Sequence, residues 1–179
     1  KIIWLGLVTS SVGMDEELIK IFRKSGCKGL LIGFESITQE SQKYINKGVN
    51  KVEGYVELMK KLHDNGILVQ GCFAFGGDEE DESVFERTVE TIIKAKIDLP
   101  RYSILTPFPK TQYYNQLEKE GRIIERNWAM YDVEHCVFVP KKMTKEQLEN
   151  GTDFAWRATY STTSILKRLA PFKHSAWLS

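Results

Sequence analysis

Apolar residues follow two alternating rhythms along this chain. Continuous apolar runs of strand length occur at 2–9, Leu30–Phe34, Ile67–Phe75 and Tyr102–Leu105. Between them, apolar positions recur every three or four residues. Met14, Leu18, Ile21 and Phe22 share one face of a helix over Asp15–Ser25, which Gly26 stops. Val52, Tyr55, Val56, Met59 and Leu62 do the same over Lys51–Asn65, ahead of Gly66. Val84, Phe85, Thr88, Val89, Ile92 and Ile93 mark a third helix over Ser83–Lys96. The order is β-α-β-α-β-α-β, which predicts a parallel sheet with right-handed crossovers. The repeat length fits an α/β fold of the TIM type. Four strands cannot close an eight-stranded barrel, so the expectation is an incomplete (β/α) partial barrel of about four parallel strands.

The rhythm changes after a short helix over Gln112–Glu120, stopped by Gly121. Arg122–Val139 is mixed in character. Thr144 and Gln147 then form a capping-box pattern that opens a helix running to about Leu169. Leu148, Phe154, Ala155, Ala158 and Ile165 are its inward candidates, and Pro171 marks its end. This divides the chain into a barrel portion, 1–121, and a mainly helical C-terminal extension, 122–179.

Composition removes several function classes. The net charge of +1 over 179 residues gives no broad attraction to nucleic acid or an anionic membrane. No run approaches the roughly 18 apolar residues of a membrane span. Cys27, Cys72 and Cys136 are odd in number and far apart, which argues against a disulfide framework and fits a reducing, cytoplasmic setting. The chain starts inside a strand, without Met, and is expected to be a piece of a longer protein. The apolar run at 2–8 would then be an open sheet edge, predicted to be covered or to pair in a dimer.

Ligands of parallel α/β folds bind at the carboxyl ends of strands. Here those ends carry Glu35-Ser36, then Gly76-Gly77-Asp78, then Thr106-Pro107-Phe108-Pro109. Glu35 could accept hydrogen bonds from a sugar diol, or Ser36 with Gln39 could simply cap a helix. Gly76 and Gly77 would allow a ligand close to the backbone. Phe73 and Phe75 alternate with Cys72 and Ala74, and core packing explains them as well as ligand contact does. The acidic loop Asp78–Glu82 matches no calcium-loop spacing and reads as helix-dipole compensation. His63, His135 and His174 lack ligand spacing, and His63 falls on an exposed helix edge.

Together, Gly33-Phe34-Glu35-Ser36, Gly71-Cys72-Phe73-Ala74-Phe75-Gly76 and Leu105-Thr106-Pro107-Phe108-Pro109-Lys110-Thr111 resemble the later strands of the radical S-adenosylmethionine (SAM) enzymes. The likeness is to the branch with an upstream cobalamin-binding domain, which includes hopanoid methylases and anaerobic magnesium-protoporphyrin monomethyl ester cyclases. The tail, through Trp128, Tyr131-Asp132, His135, Phe138, Pro140 and Met143-Thr144, is similar to that branch too. The resemblance implies a partial (β/α)6 barrel of which this chain supplies the third to sixth strands. It also implies a 4Fe–4S cluster and SAM as cofactors, with cobalamin, and upstream domains of the same polypeptide as partners. The family's C-x3-C-x2-C loop is absent from this sequence, so the chain alone is expected to be inactive.

By the same resemblance, Glu35 and Ser36 hold ribose hydroxyls, and Lys47 faces the SAM carboxylate. Phe73 and Phe75 lie near adenine, with Gly76 beside them, and Thr106 and Pro107 meet the adenine edge. One departure is Lys110, where the family commonly has glycine. The implied activity is reductive cleavage of SAM for methyl transfer or oxidative cyclisation of a small-molecule substrate, with a large apolar molecule among the candidates. Two rivals stand beside it. One is a different barrel enzyme using Glu35 as acid or base; the other is a non-catalytic α/β module that binds a small molecule or partner.

Overall fold

The computed structural model describes residues 2–35, 37 and 51–169. Strands β1 (Trp4–Thr9), β2 (Cys27–Glu35), β3 (Leu68–Phe75) and β4 (Leu99–Ile104) form one parallel sheet in that order. Helices α1 (Glu16–Ser25), α2 (Lys51–Asp64) and α3 (Ser83–Ala95) make the connections. Strand order equals chain order, so right-handed crossovers put all three helices on the same face. The opposite face is open among the described residues, as expected for part of a barrel wall.

Each strand therefore has two unlike faces. The helix side carries Leu30, Ile32, Phe34, Val69, Phe73, Phe75, Tyr102 and Ile104, all buried. Its aromatic rings form a connected row. Phe34 meets Tyr55 of α2 edge-on at 4.9 Å and stacks on Phe73 at 5.4 Å. Phe75 meets Phe85 of α3 edge-on at 4.9 Å and stacks on Tyr102 at 5.6 Å. Each such pair contributes about 0.5–1.5 kcal/mol beyond area burial. The open side carries Leu5, Leu7, Leu31, Gln70, Cys72, Ala74, Arg101 and Ser103, none of them buried. Leu5 and Leu7, on the edge strand, are 77% and 78% exposed.

The tail is welded to this layer. Helix α4 (Gln112–Lys119) is capped by Thr111, whose hydroxyl accepts from Tyr114 N. The chain returns through an antiparallel bridge between Ile123 and Phe138. Val133 O accepts from Ile104 N at 2.7 Å, which fastens the 131–135 segment to the carboxyl end of β4. Cys136, Phe138, Met143, Leu148 and Ala155 belong to the same core as the sheet. The capping box at Thr144 and Gln147 is formed in full.

Several boundaries differ from the sequence reading. The helix expected to reach Leu169 is two, α5 (Lys145–Thr159) and α6 (Thr162–Leu169). Ser161 restarts it: its hydroxyl accepts from Ser164 N, as an N-cap does. Pro171 and His174 lie outside the described residues. Met14, Ile21 and Phe154 point outward, at 61%, 57% and 47% exposure. Met14 sits in a 3-10 turn, Ser10–Met14, ahead of α1. The inward stripe of α1 runs through Leu18, Ile19 and Phe22, and that of α5 through Leu148, Thr152, Ala155 and Thr159. His63 is not on an exposed edge; its Nε2 lies 2.9 Å from the buried Asp98 carboxylate. β4 begins at Leu99 rather than Tyr102, and β2 begins at Cys27 rather than Leu30.

Candidate active-site wall

Glu35 ends β2 in an uncommon way. The pairing register slips between Gly33 and Glu35, so that Glu35 sits opposite Phe73 as part of a bulge. Its φ of 56° lies in the left-handed region, which costs a residue other than glycine about 1–2 kcal/mol. The bulge turns the carboxylate back over Gly33, where a Cβ would sit 2.5 Å from Glu35 Oε1. The side chain is exposed and makes no hydrogen bond or ion pair with a described residue. This strained backbone at the carboxyl end of a strand, with a carboxylate that no described residue pairs, makes Glu35 the candidate binding position of the wall.

Beneath Glu35 runs a row of direct cross-strand neighbours: Gly33 opposite Cys72, and Cys72 opposite Arg101. Burial pushes the Cys72 thiol above its ordinary value; Glu35 adds to that, while the Arg101 charge and a hydrogen bond from Gln70 oppose it. Ser103 Oγ donates to Phe73 O at 3.3 Å, one step nearer the strand end. Glu35, Gln70, Cys72, Arg101 and Ser103 thus share the open face.

The other residues singled out in the sequence are distributed differently. Phe73 and Phe75 are 2% exposed and lie on the helix side, so the side chains of β3 on the Glu35 face include Gln70, Cys72 and Ala74. Gly76 is buried with φ 108°, and a Cβ there would stand 3.1 Å from both Leu148 Cδ2 and Phe138 Cζ. Its N–H and that of Gly77 donate to the Glu80 carboxylate at 2.8 and 3.0 Å. Packing by the tail and satisfaction of the loop account for Gly76; its backbone is not left open to a ligand. Thr106 Oγ1 donates to Ile104 O at 3.0 Å, and Pro107 is buried after it. Lys110 does adopt the turn that glycine favours, at φ 67°. Ser36 and Lys47 lie outside the described residues.

The acidic loop is consumed by protein partners. Asp78 pairs with Arg122 at 2.8 Å and Lys141 at 2.7 Å, and Asp81 Oδ1 accepts from Ser83 N and Oγ. Burial raises the Asp78 carboxyl, but the two cations beside it bring it below its usual range. No group of three or more His, Cys, Asp or Glu able to hold a metal ion occurs among the described residues. The three thiols stand on separate elements, with Cys27 and Cys136 buried, so these residues do not fit an iron–sulfur cluster. No described helix is long and apolar enough to cross a membrane.

Gln70, Arg101 and Ser103 had not been singled out from the sequence. Period-two counting outward from the aromatic face, Phe73, Phe75 and Tyr102, would have located them.

The chain is similar to known proteins over most of its length. The bacteriochlorophyllide d C-12(1)-methyltransferase of Chlorobaculum tepidum is 33% identical over 166 residues, covering 93% of this chain and 36% of that protein. The anaerobic magnesium-protoporphyrin IX monomethyl ester cyclase of Cereibacter sphaeroides is 26% identical over 156 residues, 87% of this chain and 25% of the relative. The chain thus spans between a quarter and about a third of their lengths. Among solved structures, the radical SAM methyltransferase TsrM of Kitasatospora setae, with cobalamin and an iron–sulfur cluster bound, superposes with a TM-score of 0.52. That match, at 19% identity, covers 64% of this chain and 22% of TsrM, and it speaks to the fold alone. The family model of the radical SAM superfamily matches residues 1–92, β1 to the last turn of α3, with Glu35 within it. That span is just over half of the 179 residues: the chain belongs to the radical SAM superfamily.

Proposed function

We propose that this chain forms one wall of the SAM site in a radical SAM enzyme that methylates a chlorophyllide-type tetrapyrrole. Glu35 accepts hydrogen bonds from the ribose hydroxyls of SAM, and the open face of β2 to β4 lines the space into which substrate enters. The observation that carries the reading is the Glu35 bulge, where a strained backbone at the carboxyl end of a parallel strand holds a carboxylate that has no partner among the described residues. The substrate class is supported by the 33% identity to the bacteriochlorophyllide methyltransferase. Other parts of the intact protein would hold a 4Fe–4S cluster and cobalamin, which would supply the electrons for SAM cleavage and carry the methyl group. The residues here bind and aim.

The test uses the intact protein, anaerobically reconstituted, with SAM titrated calorimetrically. Losing a charge-assisted hydrogen-bond pair in Glu35→Gln should weaken SAM binding by about 10–100-fold. Unchanged SAM affinity in that variant removes Glu35 from the site. Mass spectrometry of the tetrapyrrole product decides the reaction: gain of a methyl group supports the proposal, and ring closure with loss of hydrogen overturns it in favour of cyclisation.

A further inference from the structure

Arg101 is the unexplained charge of the open face. It projects from the middle of β4, on the side away from Tyr102 and the helices. The tail arginines Arg122, Arg126 and Arg157 pair with carboxylates and Arg168 donates to three backbone carbonyls, while Arg23 and Arg87, exposed on α1 and α3, have no hydrogen-bond or ion-pair partner among the described residues. Arg101 makes no hydrogen bond or ion pair with a described residue, although its charge reaches Cys72 on the next strand and Tyr160 at the edge of the sheet. A guanidinium in a strand interior gains little there unless something anionic meets it.

We infer that Arg101 anchors a carboxylate of the substrate, an inference that rests on the function proposed above. The row geometry supports the assignment. Arg101 lies directly across from Cys72, which lies directly across from Gly33, over which the Glu35 carboxylate is folded. Two strand spacings of about 4.8 Å put the guanidinium column about 10 Å from the Glu35 column. One molecule meeting Glu35 through its ribose leaves Arg101 to a second, neighbouring molecule. The guanidinium fork accepts a carboxylate through two parallel N–H donors, so it fixes orientation as well as charge. A chlorophyllide is a free acid and carries a carboxylate on its propionate arm. Held at β4, that arm places the macrocycle across the face lined by Cys72, Ala74 and Leu31, side chains that take a flat apolar body.

The experiment compares the intact wild-type protein with Arg101→Gln and Arg101→Lys, using chlorophyllide as the free acid and as its methyl ester. For the acid, Arg101→Gln should raise KM by about 10–100-fold, with kcat changed much less, and Arg101→Lys should recover part of the loss. The methyl ester should be a poor substrate for wild type and indifferent to the substitution. SAM affinity, titrated separately, should be unchanged. An unaltered KM for the acid overturns the inference, as does an equal loss on acid and ester. A fall in SAM affinity overturns it by assigning Arg101 to the SAM carboxylate. If wild type binds SAM but turns over neither tetrapyrrole, the proposed substrate class fails, a result separable from the variant data, and the inference falls with it. Arg101 is exposed, so the variants are expected to fold, which a matching thermal melt verifies.

Discussion

Gly76→Ala separates a packing role from a ligand role at one atom. The substitution adds a single methyl group at φ 108°, a backbone angle that L-residues rarely adopt. The conformational penalty is about 1–2 kcal/mol. The new methyl also meets Leu148 Cδ2 and Phe138 Cζ at 3.1 Å, and both side chains are fully buried. Neither is the free end of a flexible side chain, so each has to move by a few tenths of an ångström within a filled core. Overpacking of that kind costs about 1–3 kcal/mol. The sum, roughly 2–5 kcal/mol, is a large part of an ordinary domain's stability. It should appear as a fall in melting temperature of about 4–20 °C for a chain of this size.

The ligand reading makes the opposite forecast. If the Gly76 backbone met SAM, the variant would fold normally and bind SAM poorly. The hydrogen bonds argue against that, because the Gly76 and Gly77 amides are already donated to Glu80. The assay is a side-by-side thermal melt and SAM titration of the intact protein, below the variant's melting temperature. A variant that melts with wild type while losing SAM affinity would falsify the packing argument.

Two further outcomes follow from the structure. Gly151→Ala, in the middle of α5, should stabilise by about 1 kcal/mol on helix propensity. Its Cβ, however, would overlap the buried Phe85 ring, so we expect a net loss of about 1–3 kcal/mol, recovered in part when Phe85 is also changed to Leu; a melt above wild type refutes it. Asp132 should make the tail acid-sensitive. Burial opposes its ionisation, but N–H donors from Glu134 and His135 and the His135 ring bring its carboxyl down to about 2. A depressed folded value means that its contribution is present above the unfolded value near 3.9 and is lost as pH falls through about 2. The protection factors of the 131–138 amides, taken relative to intrinsic exchange at each pH, should therefore fall below about pH 4 in wild type. Asp132→Asn should be weakly protected at both ends of that range, and an equally acid-sensitive Asn variant refutes the assignment.

The alternation of strand-length runs and helical stripes was enough to place four strands and three crossovers in order, because length and period distinguish the two. Glu35 was legible as a polar residue closing an apolar run. What the sequence hid was parity. Phe73 and Cys72 are adjacent letters, and a period of two says that they face opposite ways without saying which way is inward. Phe34, Phe73, Phe75 and Tyr102 settle it only once seen to share a face with Tyr55 and Phe85. The left-handed backbone of Glu35 was equally hidden, since glutamate has no preference for it. The break between α5 and α6 turns on Ser161, one hydroxyl in a run of Thr, Tyr and Ser where any could have capped. The Ile123–Phe138 bridge joins residues that local pattern does not connect.

The row across the open face also says what kind of chemistry this wall contributes. A strand-borne cysteine flanked by an arginine invites a nucleophilic reading, because a nearby cation favours the thiolate. Here burial outweighs the Arg101 charge, and Glu35 acts in the same direction as burial, so the Cys72 thiol is raised above its usual value and stays protonated near neutral pH. A protonated, half-buried thiol is a weak nucleophile and a small apolar filler. The fixed charges left on the row are the Glu35 carboxylate over Gly33 and the Arg101 guanidinium, two strands apart, with Leu5 and Leu7 extending the face as apolar surface on β1. On the proposed reading, such a wall meets a hydroxyl-bearing group at one end and an anion at the other. Among the described residues it offers no base or nucleophile at the centre, and that is the division of labour expected where the bond-breaking chemistry belongs to cofactors and the protein supplies position.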